Sequence, residues 1–275
     1  MPLLAPALCL LWLAGATADA AGSPANAGPD EGEPPEEPPG GAGVSPVELI
    51  PRLELRHVYQ KLPGGMSVHD TILETDIEFL RRLLLRYQLP ARTVASSAGQ
   101  VSGIGDIQVG LVAILGSTPR FVAALLLGAE LDTATAPRLG AGKQQVIAGA
   151  GAALKPWRWW LAYAVVQQQF SVKGDPSRPD VNQLQTDFGS ILFGRRFNWL
   201  KLDVATTVDF AGATGGRVYG TGEAGSLVIG RVGLFMRAGT QLAGPRLVDY
   251  SVVAGVRYLF KLETGKPGAV KATSW

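Results

Sequence analysis

Residues 198–210, NWLKLDVATTVDF, decide the fold. Leu200, Leu202, Val204, Thr206, Val208 and Phe210 share one side of an extended chain, while Lys201, Asp203, Ala205, Thr207 and Asp209 share the other. Successive side chains of a strand point to opposite faces, so a repeat of two marks a strand with one apolar and one polar face. LVDYSVVAGVRYLF (247–260) repeats the pattern, with Tyr250, Val252, Ala254, Val256, Tyr258 and Phe260 opposing Asp249, Ser251, Val253, Gly255, Arg257 and Leu259. Within 181–193, Leu184, Thr186, Phe188 and Leu192 oppose Gln183, Gln185, Asp187 and Gly189.

Working outward, FVAALLLGAELDT (121–133) and QVIAGAGAAL (145–154) are apolar on nearly both faces, with small residues on one. Each run lasts about ten residues before a charge, Gly or Pro, the length of a membrane β-strand and about half that of a membrane helix. Ten prolines lie within 47–275, nearly all between alternating runs, where a missing ladder donor costs least. Tight gaps (Gly116-Ser-Thr-Pro-Arg120, Pro156-Trp157, Phe197-Asn198, Val232-Gly233) alternate with longer ones (90–103, 133–143, 171–180, 211–217). Short turns at one end and long loops at the other are the signature of an outer-membrane barrel.

Strands are predicted near 48–60, 69–79, 82–89, 104–115, 121–132, 144–155, 158–170, 181–195, 199–210, 217–231, 234–243 and 246–260. The fold class is therefore all-β: a transmembrane antiparallel up-and-down barrel of about twelve strands. The stretch 69–89 is divided at Leu80-Arg81-Arg82; undivided, it reads as one long strand or a helix. Trp157, Trp159, Trp160, Phe197, Trp199, Phe210, Tyr219, Tyr258 and Phe260 stand near strand ends, as an interfacial girdle requires. The alternative is a soluble barrel with its apolar face inward, which calls for more surface charge.

Composition agrees with a membrane wall. Of 275 residues 47% are hydrophobic and 17% charged, against about 25% charged in ordinary soluble domains. A single cysteine excludes a disulfide scaffold and a Cys-rich metal site. The net charge of +2 conceals a segregation. Residues 1–20 read as a signal peptide, with an apolar run LLAPALCLLWLA (3–14) and an A-x-A site at Ala18-Asp19-Ala20, although no Lys or Arg precedes the run. The other reading is a buried N-terminal helix. Cleavage after Ala20 removes Cys9, which suits an oxidising compartment.

Residues 21–46 form an acidic Pro/Gly-rich leader with Asp30, Glu31, Glu33, Glu36 and Glu37 and no base. Having almost nothing to bury, it is expected to be disordered, a spacer rather than a recognition element. The barrel is assigned to 47–260 and a C-terminal extension to 261–275. Residues 47–275 carry all 25 bases against 17 acids, about +8, attached to a −5 leader. The bases are scattered singly without a nucleic-acid motif, so no nucleic-acid partner is expected.

SGIGDIQVGL (102–111), QFSVKGDPSRPDVNQL (169–184), the following LFGRRFNWLKLDVATTVDF and the terminal GVRYLF resemble outer-membrane transporters of the phenol meta-degradation type. LIPRLELRHVYQ (49–60) suits that family's first strand, and the similarity spans about 47–260. The resemblance implies a barrel in the bacterial cell outer membrane that passes small solutes passively, aromatic or hydrophobic ones among them. It also makes outer-membrane lipid and, during biogenesis, the barrel-assembly machinery its partners. Phe260 resembles the terminal aromatic read by that machinery, with Trp275 at the end of the extension as the alternative.

Chemistry has few candidates. His57 has the parity of Leu53, Leu55 and Tyr59, toward lipid or the interface, and His69 follows Gly64-Gly65 at a loop edge. No Ser/His phospholipase pattern and no Lys-Ser/Thr phosphate loop accompany the glycine clusters, so neither an enzyme nor a cofactor or metal is expected. GDPSRPD is read as a surface turn. The polar face remains: Glu54, Arg56, Glu74, Asp76, Glu78, Glu130, Asp132, Gln183, Gln185, Asp187, Lys201, Asp203, Asp209, Arg237, Gln241 and Arg257 share inward parity and are the candidate lumen-lining residues. On the lipid face a charge costs about 2–4 kcal/mol at the midplane. Inside, such residues either line a path that selects solutes or pair and fill the lumen. The first reading gives a passive channel for small solutes; the alternative is a non-conducting structural or interaction barrel.

Overall fold

The computed structural model describes residues 51–260 apart from Arg81, Pro119, Arg158 and residues 195–197 and 212–214. The expected signal peptide (1–20), acidic leader (21–46) and C-terminal extension (261–275), with Trp275, lie outside the described residues, as does Phe197. The strands are β1 (Arg52–Lys61), β2 (Ser67–Leu80), β3 (Leu83–Ser96), β4 (Gly99–Ile104), β5 (Ile107–Ser117), β6 (Phe121–Leu131), β7 (Lys143–Trp157), β8 (Trp160–Gly174), β9 (Asn182–Phe193), β10 (Asn198–Asp209), β11 (Gly216–Ile229), β12 (Val232–Ala243) and β13 (Tyr250–Leu259). Neighbours pair antiparallel, and β1 closes on β13 from Arg52↔Leu259 to Lys61↔Tyr250. Closure leaves no sheet edge to satisfy in lipid.

β4 and β5 are one stave in two pieces. β5 pairs with Leu83–Gln88 of β3 and β4 with Ala91–Ser96, with Gly105-Asp106 as the break between them. Twelve staves result. The expected loop over 90–103 is therefore mostly strand, and Pro90, which argued against it, sits inside β3. The Gly105 amide donates to the Pro90 carbonyl (2.9 Å), so the proline ring nitrogen, on the same side, faces the break, where no ladder donor is needed. Leu80 and Leu83 pair across a tight turn, which makes 69–89 a hairpin. Another tight turn falls at Gly230-Arg231, two residues before the predicted Val232-Gly233, because Gly230 supplies the positive φ of 51°.

The alternation is realised with charge inside. Outward positions such as Leu55, Leu127, Leu202 and Met236 are exposed, whereas Arg52, Glu54, Arg56 and Lys201 are buried. That arrangement is inverted relative to a soluble barrel and overturns that alternative. At the tight-turn end Trp157 stacks on Trp159 (5.6 Å) and Trp160 (5.3 Å), and Tyr258 meets Phe260 edge-on (5.4 Å). Tyr59 and Tyr250 (5.9 Å) mark the long-loop end. His57 is exposed on the outer face beside Thr71, its Nδ1 3.1 Å from the Thr71 hydroxyl, with the His69 ring 5.8 Å away.

Trp199 and Tyr219, expected in the girdle, turn inward instead. Trp199 shares the parity of Lys201, and its ring lies over the cross-strand partner Gly225. A Cβ at Gly225 would stand 2.1 Å from the indole, and one at Gly255 2.4 Å from the Phe235 ring. Overpacking of this kind costs about 1–3 kcal/mol. Gly225→Ala is accordingly expected to lower the urea midpoint of the protein folded in lipid vesicles, and an unchanged midpoint would mean that the indole does not occupy this place.

Candidate functional site

Nine acidic and nine basic side chains are buried among the described residues. They are not evenly distributed around the wall. β1–β3 carry Glu54, Asp70, Glu74 and Asp76 against Arg52, Arg56, Arg86 and Arg92. β10–β13 carry Asp203 and Glu223 against Lys201, Arg217, Arg237 and Arg257. The remaining wall holds Asp106, Glu130 and Asp187 against Lys143 alone. The buried charges of the described residues thus cancel in number and are polarised across the lumen, with the acidic side on β5–β9 and the basic side on β10–β13.

Glu74 is the centre of the first group. It accepts from Arg52 Nη2 (2.8 Å), Arg56 Nη1 (2.7 Å) and Gln88 Nε2 (2.8 Å), with Arg86 Nε at 3.5 Å. Glu54 accepts from Arg56 Nη1 (2.7 Å) and from Arg257 Nε (2.7 Å), which joins β1 to β13. Asp76 takes a two-pronged contact from Arg86 (2.7 and 2.8 Å), and Asp70 one from Arg92 (2.6 and 3.0 Å). Forked guanidinium–carboxylate pairs of this geometry fix both side chains.

In the second group Glu223 accepts from Arg237 (2.9 and 2.5 Å) and from the Trp199 indole (3.0 Å). Asp203 accepts from Thr221 Oγ1 (3.0 Å) and from the Tyr163 hydroxyl. Arg257 lies 5.0 Å over the Phe235 ring and Lys201 5.3 Å over that of Tyr163. On the third wall the buried polar groups are mostly amides, among them Gln145, Gln167, Gln169 and Gln185. Toward the tight-turn end, Leu84, Val112, Ile114, Val122, Leu161 and Ile191 add apolar bulk.

The long-loop mouth is covered. The β6–β7 loop (132–142) folds inward and is held by Asp106 at the break in the split stave. One Asp106 oxygen accepts from the Thr133 and Ala134 amides (both 3.1 Å) and the other from Ala141 (2.6 Å). Arg92 donates to the Leu139 carbonyl (3.1 Å). Leu139, 0% exposed, packs with Leu62, Val68, Val94 and Val248 from neighbouring strands and loops. Beneath it, a cavity of about 20 Å³ lined by Gln88, Arg92, Asp106, Gln108 and Glu130 has room for roughly one water.

Of the residues predicted from sequence, Glu54, Arg56, Glu74, Asp76, Glu130, Gln183, Gln185, Asp187, Lys201, Asp203, Arg237 and Arg257 are buried within the barrel. Asp209 and Gln241 are half-buried near the long-loop end. Gln241 serves the β12–β13 loop, donating to Pro245 O (2.6 Å) and accepting from the Leu247 amide (2.8 Å). Glu78, near the tight-turn end of β2, and Asp132, beyond β6, are exposed. Lys143 reaches Asp180 (2.8 Å) in the β8–β9 loop and holds that carboxyl below its usual range. Arg52, Asp70, Arg86, Arg92, Lys143, Arg217, Asp106 and Glu223 were missed. Parity with Glu54, Glu74 and Gln88 could have supplied the first four.

No protein-family description and no curated protein sequence matches the chain. Solved structures do. An outer-membrane channel from Pseudomonas putida F1 superposes with a TM-score of 0.61 at 14% identity, over 77% of this chain and 94% of that one. The NanC porin gives 0.57 at 9% identity, over 76% and 100%. The KdgM porin in complex with oligogalacturonate gives 0.54 at 8% identity, over 76% and 99%. At these identities the likeness is one of fold, and the fold is that of outer-membrane β-barrel channels and porins.

Proposed function

We propose that the chain is a narrow passive channel for small solutes across the bacterial outer membrane. The observation that carries this reading is the polar interior. A barrel that served only as a wall would be as stable with apolar filling, because replacing buried ion pairs by well-packed apolar groups is often neutral or stabilising. Among the described residues eighteen charged side chains are instead buried inside. The superposition on outer-membrane channels supports the same reading. The covered mouth and side-chain-filled lumen make the described conformation a closed one, so passage requires the β6–β7 loop to move aside.

The resemblance to phenol meta-degradation transporters makes small aromatic acids the first solutes to test. Protein refolded into planar bilayers is expected to give discrete, small conductance steps. Liposome swelling should show entry of benzoate ahead of a neutral pentose. Silent bilayers together with no swelling would leave the non-conducting barrel as the correct reading.

A further inference from the structure

The amides of β5–β9 form one directed chain of hydrogen bonds. Gln108 Nε2 and Gln145 Nε2 donate to the two oxygens of Glu130 (both 2.7 Å). Gln169 donates to Gln145 Oε1 (2.8 Å), Gln185 to Gln169 Oε1 (3.1 Å) and Gln167 to Gln185 Oε1 (3.0 Å). The direction starts at Glu130, both of whose oxygens accept an amide N–H. Gln145 must therefore turn its amide nitrogen toward Glu130 and its oxygen away, and each following glutamine repeats that choice. Aligned amides polarise one another, and the last member, Gln167, is left presenting a carbonyl oxygen.

That oxygen is buried and has no hydrogen-bond partner among the described residues; the same holds for Gln183 Oε1 and Asp187 Oδ1. Asp187 is only 4% exposed. The register sets Gln167 diagonal to each of the other two, which stand four residues apart on β9. Gln167 is paired with Gln185, which places it diagonally between Gln183 and Asp187 on the inward face of β8 and β9, within reach of long side chains. On the other flank Asp187 faces the small Ala205 of β10. The buried bases of the adjoining wall include Lys201 of β10 and Arg237 of β12. Lys201 lies 3.5 Å from Asp203, and Arg237 is bonded to Glu223 at 2.9 Å.

Buried acceptors without a donor, one of them a carboxylate oxygen, are costly unless a positive or donating group meets them. We propose that Asp187 Oδ1 with the diagonally placed Gln167 carbonyl oxygen forms a subsite for a small monovalent cationic group, either an alkali ion or the ammonium of a solute. Oxygen-only ligands suit a hard ion, and a single carboxylate balances a single charge. The wall that holds the subsite is the acidic side of the lumen. The subsite rests on the channel reading and deepens it by placing a cation-binding station on the acidic side of the lumen, apart from the basic side on β10–β13.

Binding is read without conduction. Thermal unfolding of the detergent-solubilised folded protein is followed in potassium chloride, methylammonium chloride and choline chloride at equal ionic strength, choline being the bulky control. The wild type should melt higher in potassium or methylammonium than in choline. Stabilisation by potassium alone identifies an alkali-ion site, and stabilisation by both identifies one that also takes ammonium groups. Asp187→Asn should erase the difference. Gln167→Met, which removes the oxygen without changing charge, should raise the half-saturating concentration about tenfold and keeps the test valid if Asp187→Asn does not fold. Equal melting of the wild type in all three salts, or an unchanged salt response in both variants, would overturn the proposal. Silent bilayers would refute conduction and leave this binding intact; lost binding would leave conductance intact.

Discussion

Asp106→Ala is expected to open the channel. Its carboxylate is the anchor of the β6–β7 loop, receiving three backbone amides that belong to residues 133, 134 and 141. A hydrogen bond to a charged group contributes about 1.5–3 kcal/mol, and the freed amides recover part of that from water. A net loss of about 3 kcal/mol shifts the ratio of open to closed mouths about a hundredfold. Arg92 still holds the Leu139 carbonyl, so the loop is loosened rather than expelled. At fixed voltage the open probability should rise at least about tenfold, while the folded barrel retains its heat-modifiable gel mobility. Asp132→Ala, an exposed position in the same loop, should leave the recordings as they are. Indistinguishable recordings from Asp106→Ala and wild type would show that the loop is not the barrier.

Glu74→Ala should be among the most damaging single changes to stability. Glu74 is 0% exposed and is hydrogen-bonded to Arg52 and Arg56, with Arg86 Nε at 3.5 Å. Removing the one acid they share leaves buried positive charges facing one another, and stripping one partner from a buried ion pair costs about 3–5 kcal/mol. The loss is worst here because Asp76 and Glu54 already serve Arg86, Arg257 and Arg56. Urea unfolding in lipid vesicles measures it. A loss below about 1 kcal/mol, the range of an ordinary surface substitution, would mean that water reaches these arginines freely.

The two predictions rest on parts of the molecule that were unequally legible in the sequence. Alternation in 198–210 and 247–260 is a local, two-residue signal, and it carried barrel class, the tight-turn and long-loop ends and the inward parity of Glu54, Glu74, Lys201 and Arg257. Pro90 misled, because the sequence shows a missing donor but not the gap between β4 and β5 that makes it harmless. The proximity of Trp199 and Tyr219 to strand ends suggested a girdle, yet parity already placed Trp199 with Lys201. The mouth was illegible: Asp106 meets residues 27 to 35 positions away, and no spacing rule encodes such a contact. The glutamine chain was hidden for a related reason, since its direction depends on amides of four strands turning their nitrogens toward Glu130.

Conductance is the most direct test of a channel. Wild-type protein refolded and inserted into a planar bilayer is predicted to give small discrete steps, with openings made more frequent by Asp106→Ala. Membranes in which folded protein is inserted but neither the wild type nor that variant passes current would contradict it.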